Sequence, residues 1–214
     1  MSSKSALPDN LLCKKTQAAE SNKNAILEVL KKELSINATV LEIGSGTGQH
    51  AATFCTYLPT IDWIPSDFNR GSFESITSWK KIVGAENMEP PRLIDAASPN
   101  WNIGDVNRIS AIVAINVIHI SSFDVTLGIL NGANKYLDKG GILYFYGPFF
   151  QNNVEAKESN KVFDQYLRNQ NECWGIRTLD EIEVLAKDRS LRLDKIIQMP
   201  KNNLSVIKQV INFT

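Results

Sequence analysis

The 214-residue chain is 43% hydrophobic, enough for one buried α/β core and short for two. Lysine plus arginine and aspartate plus glutamate number 23 each with no block of like charge, so no net field draws in a polyanion and nucleic acid is not an expected partner. The three cysteines, Cys13, Cys55 and Cys173, are scattered and never spaced C-x-x-C, which argues against a disulfide framework or a zinc site; without an apolar run near ~18 residues or an apolar leader, the expectation is a soluble cytoplasmic protein with no metal and no membrane partner.

Residues 1–16 mix Ser, Lys, Pro and Asn without a period and are expected to form a mobile or draped arm, leaving 17–214 as a single domain. From Gln17 the pattern turns helical, with Ile26, Leu30 and Leu34 on one stripe. Residues 39–43 form a short apolar strand, and after the glycines Ala51, Phe54, Cys55 and Leu58 mark the next helix. A second strand over 61–64 runs out to Asp67, a helix carries Phe73, Ile76 and Val83, and 92–94 make a third strand ending at Asp95.

The run 111–117 is apolar and rich in β-branched residues, as a central parallel strand covered on both faces requires. A helix over 123–137 is read as stopping at Asp138-Lys139-Gly140-Gly141, with 142–146 the next strand. Beyond a polar loop, a helix carries Phe163, Tyr166 and Leu167, and Thr178-Leu179-Asp180-Glu181 reads as a capping box opening another. Residues 191–199 and 204–211 close the chain as a hairpin. The sum is a Rossmann-like α/β fold: a mostly parallel seven-stranded sheet with a terminal antiparallel hairpin and helices on both faces.

The residues that carry chemistry cluster at Glu42-Ile43-Gly44-Ser45-Gly46-Thr47-Gly48, between the first strand and its helix. Glycines there permit positive φ and close approach of a ligand to the backbone. Asp67 follows 19 residues past Gly48, at a strand end where a carboxylate can accept both ribose hydroxyls of an adenosine; the bland alternative is a turn aspartate. The glycine spacing is G-x-G-x-G, with Gln49 where a dinucleotide site places its third glycine, which favours S-adenosylmethionine over a nicotinamide. Asp95, after the third strand, reads either as an acceptor for the adenine amino group or as a surface aspartate, and Phe68 and Ala96 stand beside the two acids. Asn116 and His119 follow the fourth strand; His119 reads as a base, a hydrogen-bonding wall or a structural histidine. His50 suits packing or cofactor contact, Tyr146 the pocket, Tyr144 the core, and the four tryptophans core and loop anchors.

The chain resembles the methyltransferase-like protein 26 family and its bacterial relatives, of unknown function, from about Ala18 to Val210. The resemblance rests on Gly44 to Gly48 extended by Gln49-His50, on Pro65-Ser66-Asp67, Asn116-Val117-Ile118-His119, Tyr146-Gly147-Pro148, Trp174-Gly175-Ile176-Arg177 and Met199-Pro200-Lys201-Asn202-Asn203. It implies a class I methyltransferase fold with a cofactor site of Glu42, Gly44, Ser45, Gly46, Gly48, His50, Asp67, Phe68, Asp95, Ala96 and Asn116, in which Glu42 organises the turn and the amino-acid end of the cofactor. The chain departs from the family pattern at Ser21, where Arg is usual, at Ala156-Lys157, where Ser-Pro is common, and at Asn24-Ala25, where a Pro is usual.

The expected activity is methyl transfer to a small-molecule or protein acceptor held by Asn22, Asn116, His119 and Tyr146, with Arg177 as an anion contact. The rival readings are a non-catalytic S-adenosylmethionine sensor or scaffold and an NAD-dependent oxidoreductase. No Asn-Pro-Pro-Tyr motif follows the fourth strand, which argues against methylation of DNA adenine. Neither the acceptor nor the oligomeric state follows from the sequence.

Overall fold

The computed structural model describes residues 12–106 and 108–211. In chain order the elements are α1 (Gln17–Glu33), β1 (Thr39–Ile43), α2 (Gln49–Tyr57), β2 (Asp62–Asp67), α3 (Phe73–Val83), β3 (Arg92–Leu93), β4 (Ile109–Ile115), α4 (Phe123–Tyr136), β5 (Leu137–Gly147), β6 (Phe149–Phe150), α5 (Glu158–Gln170), β7 (Arg177–Thr178), α6 (Leu179–Lys187), β8 (Leu191–Met199) and β9 (Asn203–Val210). The main sheet has the order β3-β2-β1-β4-β5-β9-β8. Strands β1 to β5 pair in parallel, and β9 runs antiparallel to both β5 and β8.

Alternate side chains of each strand feed two cores, as the period-2 pleat demands. Leu41, Ile43, Ile112, Ala114, Leu143 and Phe145 pack with α4 and α6. Val40, Trp63, Ala111, Val113 and Tyr144 pack with α1, α2 and α3. Most of these side chains are fully buried, and each such aliphatic or aromatic group contributes roughly 1.5–3 kcal/mol over its exposed state. Strand β4, buried at six of its seven positions, is the central strand its composition predicts.

Several local expectations are corrected. α4 ends at Tyr136 with Leu137 extended, and β5 begins at once, because buried Leu137 pairs with Ile109. Residues 138–141 therefore form an irregularity inside β5, with Gly140 at φ +77°, and not a helix exit. α6 opens at Leu179 as the capping signal predicts, but Thr178 makes no side-chain cap hydrogen bond; Asp180 separately accepts from the Asn152 N–H at 2.8 Å.

Of the expected N-terminal arm, residues 1–11 lie outside the described residues. Its last part is fastened to the domain: the Lys14 N–H donates to Ser75 Oγ, Trp79 Nε1 donates to the Lys14 carbonyl, and the Thr16 N–H donates to Gln49 Oε1. Thr16 also caps α1 by accepting from the Ala19 N–H. No helix among the described residues is long and apolar enough to cross a membrane.

Candidate functional site

Strand order reverses around β1, which lies between β2 and β4. Open α/β sheets bind ligands at such a switch point, beyond the carboxyl ends of the strands. The loops after β1, β2, β3 and β4 converge there on a cavity of about 670 Å³.

The glycine turn forms its floor. Gly44, Gly46 and Gly48 have φ +70°, +53° and +80°, a region that disfavours any side chain with a Cβ. A Cβ on Gly46 would meet nothing within 4 Å, whereas one on Gly48 would lie 2.8 Å from Ile76 Cα. Gly46 thus keeps the turn open, and Gly48 lets the start of α2 sit against α3. The Gly46 N–H donates to Asp67 Oδ2 at 2.9 Å, and the Asn69 N–H donates to Oδ1 at 2.9 Å. Each carboxylate oxygen retains a lone pair for a ligand.

Behind the turn, Glu42 is buried and accepts from Ser45 Oγ at 2.8 Å and from Trp63 Nε1 at 3.1 Å. Burial pushes its carboxyl up to about 7 against these two hydrogen bonds. Ser45 and Ser66 exchange hydrogen bonds as well, N–H to carbonyl at 2.7 Å and N–H to Oγ at 3.0 Å. The β1 and β2 loops are therefore one rigid unit.

Of the residues assigned to the cofactor by sequence, Gly44, Ser45, Gly46, His50, Asp67, Phe68, Asp95, Ala96 and Asn116 line this cavity. Glu42 and Gly48 do not: one supports the turn from beneath and the other packs α2. Phe68 is 76% exposed at the rim, an apolar ring free to cover a flat ligand. Asp95 accepts from the Ala97 N–H at 3.0 Å, so one of its oxygens is already engaged in the turn. Trp174, expected as a core or loop anchor, is a wall of the cavity; nothing in its local sequence distinguishes the two roles.

A second cavity, of about 460 Å³, opens beside the first and shares Asn116, Ala18 and Ile120 with it. Asn22, His119 and Tyr146 line it, joined by Asn160, Lys201 and Asn203, to which sequence reasoning gave no role in a site. Asn116 stands at φ +56° just past β4, its N–H held by the Tyr146 carbonyl at 2.8 Å.

Arg177 lines neither cavity. Its guanidinium donates to the carbonyls of Ile118, Ser121 and Cys173 and lies over the Phe123 ring. The expected anion contact is thus a clamp on the loop after β4.

His50 Nε2 lies 2.7 Å from Asn22 Oδ1, linking the wall of one cavity to that of the other. The Asn22 and Asn203 amides in turn hydrogen-bond the Tyr146 hydroxyl and partly offset the effect of burial, which raises its pKa. His119 is buried, its Nδ1 has no partner, and its ring meets Phe163 edge-on at 5.9 Å. Burial, aided by neighbouring positive charge from Lys23 and Arg177 respectively, lowers His50 and His119 to about 4; both are neutral near pH 7. Among the described residues no group of three or more His, Cys, Asp or Glu is placed to hold a metal ion.

Fold and cavity together define a class I methyltransferase fold. An O-methyltransferase family protein from Burkholderia thailandensis superposes with a TM-score of 0.69 over 90% of this chain and 59% of that one, at 12% identity. An O-methyltransferase family 2 protein from Planctomyces limnophilus, in complex with apigenin, gives 0.69 over 88% and 62%, at 12% identity. Human N-acetylserotonin methyltransferase in complex with SAM gives 0.68 over 89% and 52%, at 12% identity. The chain thus spans between half and two thirds of the length of these proteins, and the likeness is one of fold. Within that class the chain belongs to the DUF938 family, proteins of unknown function, whose model matches residues 13–210.

Proposed function

We propose that the protein is an S-adenosylmethionine-dependent methyltransferase of the methyltransferase-like protein 26 type, holding the cofactor in the larger cavity and a methyl acceptor in the smaller. The observation that carries this reading is that the two cavities meet at Asn116. A cofactor sensor needs only the first cavity; a transferase needs both, side by side.

The residues of the larger cavity fit the cofactor. Asp67, already oriented by two backbone N–H groups, faces the ribose hydroxyls, Phe68 and Asp95 the adenine, and the Gly44–Gly46 backbone the amino-acid end. The bound cofactor supplies an electrophilic methyl on a sulfonium. The chain supplies orientation and exclusion of water, the two terms that dominate when groups are held in line. Trp174 and Ile120 form apolar walls at the cavity, and the fastened segment 12–16 brings Thr16 to its border.

Calorimetric titration of the wild type and Asp67→Ala with S-adenosylmethionine, S-adenosylhomocysteine and NAD tests the reading. Micromolar binding of both adenosyl ligands, weakened in the variant and absent for NAD, is the expected result. NAD binding without the other two would establish the oxidoreductase reading, and no binding of either adenosyl ligand would sink the proposal.

A further inference from the structure

The smaller cavity carries charge of one sign. Among the described residues that line it there is no carboxylate, and Lys201 is the one charged side chain. No carboxylate of the described residues lies within ion-pairing distance of that lysine, so its ammonium is free to pair with a ligand.

Lys201 is held in the wall against its backbone preference. It stands at φ +58° and ψ +38°, and Asn202 follows at φ +58°; asparagine tolerates this left-handed region, whereas lysine does not favour it. The turn is pinned to α5, where the Asn160 amide donates to the Asn202 carbonyl at 3.2 Å and the Asn202 amide donates to Ser159 Oγ at 3.0 Å. Within the turn, the Asn203 amide donates to the Pro200 carbonyl at 3.0 Å. The Lys201 side chain is exposed, so burial does not offset the strain. Strain kept at a site without a packing reward points to a task for the residue.

The uncharged groups beside it present a donor as well. Asn22 Oδ1 is taken by His50 Nε2 at 2.7 Å, which turns the Asn22 amide toward Tyr146. The Tyr146 hydroxyl is hydrogen-bonded by the Asn22 and Asn203 amides. A hydroxyl has two lone pairs and one O–H; with both lone pairs facing amide donors, what it has left to offer is its proton. Asn203, two residues past Lys201, thus ties this donor to the turn that carries the lysine.

Resting on the methyltransferase reading, we infer that the smaller cavity takes an acceptor bearing an anionic oxygen group, a carboxylate or a phosphate, with Lys201 as its counter-charge and the Tyr146 O–H as a hydrogen-bond donor to it. A volume of about 460 Å³ suits a small molecule, and Phe163, Pro148, Pro200 and Ile120 surround its apolar remainder. The same inventory disfavours a cationic acceptor, because an ammonium beside Lys201 would find no carboxylate to compensate it. The charges acting on His50 and His119 from behind the walls are those of Lys23 and Arg177, both positive, although Glu20 pairs with Lys23 at 2.7 Å.

Saturation-transfer NMR on the full chain loaded with S-adenosylhomocysteine tests this with four probes that share one ring: benzoate, phenyl phosphate, benzamide and benzylamine. At least one anion is expected to bind ~5-fold or more tightly than benzamide, with benzylamine the weakest, and the preference should shrink as salt is raised. Which anion binds more tightly tells a carboxylate from a phosphate. Lys201→Met, which keeps the length and drops the charge, should remove the preference, and Lys201→Arg should keep it. Tyr146→Phe should weaken the favoured anion about 5-fold, the worth of one hydrogen bond. Calorimetric affinity for S-adenosylhomocysteine should be unchanged in all three variants.

Equal affinity for the anions and benzamide, tighter binding of benzylamine, no binding of either anion, a preference that survives in Lys201→Met, or full anion affinity in Tyr146→Phe would overturn the inference. The S-adenosylhomocysteine affinity of the wild type, measured on the same samples, reports separately on the methyltransferase reading.

Discussion

The Gly46 N–H donates to Asp67 Oδ2 at 2.9 Å, so the glycine turn and the acid at the end of β2 are parts of one structure before any ligand arrives. The carboxylate is nearly buried, at 5% exposure, and the hydrogen bonds from Gly46 and Asn69 fix its plane. Preorganisation of this kind spares a ligand the cost of ordering its own binding group.

Within the turn the three glycines should separate by phenotype. Gly48→Ala places a Cβ 2.8 Å from the Ile76 backbone at φ +80°; strain and overpacking together should cost about 3 kcal/mol or more of unfolding free energy, measured by urea titration. Gly46→Ala meets no neighbour and should cost only about 1 kcal/mol in stability. Its methyl group enters the ligand side, so calorimetry should show at least a ~10-fold loss in S-adenosylmethionine affinity.

Glu42 gives a pH dependence of defined sign. Its folded pKa of about 7 lies above its ordinary value of 4.5, so the folded state holds the proton more tightly. Its contribution is fully present below pH 4.5 and is lost as pH rises through 7, on the order of 3 kcal/mol in all. In Glu42→Gln that decline should vanish; an unchanged slope between pH 5 and 8 in chemical denaturation would refute it.

His50 and His119 act in the opposite direction. Both fall to about 4 from an ordinary 6.5, so the unfolded chain takes up protons first. Their contribution is present above pH 6.5 and is lost as pH falls through 4. The difference in unfolding free energy between wild type and His119→Gln should therefore shift steadily as pH falls from 7 to 4.5, in favour of the variant.

The two tyrosines of β5 should differ in what they support. Tyr144 OH lies 2.7 Å from Ser205 Oγ, and both residues are fully buried. Tyr144→Phe strands the serine hydroxyl and should cost about 1–2 kcal/mol of stability with ligand binding intact. Tyr146→Phe removes a hydroxyl at the smaller cavity that the Asn22 and Asn203 amides hydrogen-bond; it should lower methyl-transfer activity while leaving S-adenosylmethionine affinity, read by calorimetry, as it was.

The alternation of strands and helices, the centrality of β4, the terminal hairpin and the turn from Gly44 to Gly48 follow from the sequence alone. Each depends on neighbours along the chain: a hydrophobic period, a β-branched run or a glycine where φ must be positive. The strands β6 and β7 pair over only two residues each, too short to leave a periodic trace. The signal at Thr178 places the start of α6 correctly, yet the threonine side chain makes no cap hydrogen bond, because closing a box depends on side-chain geometry that residue types alone do not carry. Likewise Arg177 satisfies its donors on carbonyls of a distant loop, which no local pattern announces.

What tertiary structure alone decided is the division of the crevice into two cavities and the character of the second. Asn22, His119, Asn160 and Lys201 come from four segments far apart in sequence, and they meet because sheet order brings β4, β5 and β9 side by side while α1 and α5 close over the end. Local geometry is set by adjacent residues and can be read from them. A cavity wall is set by which distant segments pack together, and that depends on the burial of the whole core.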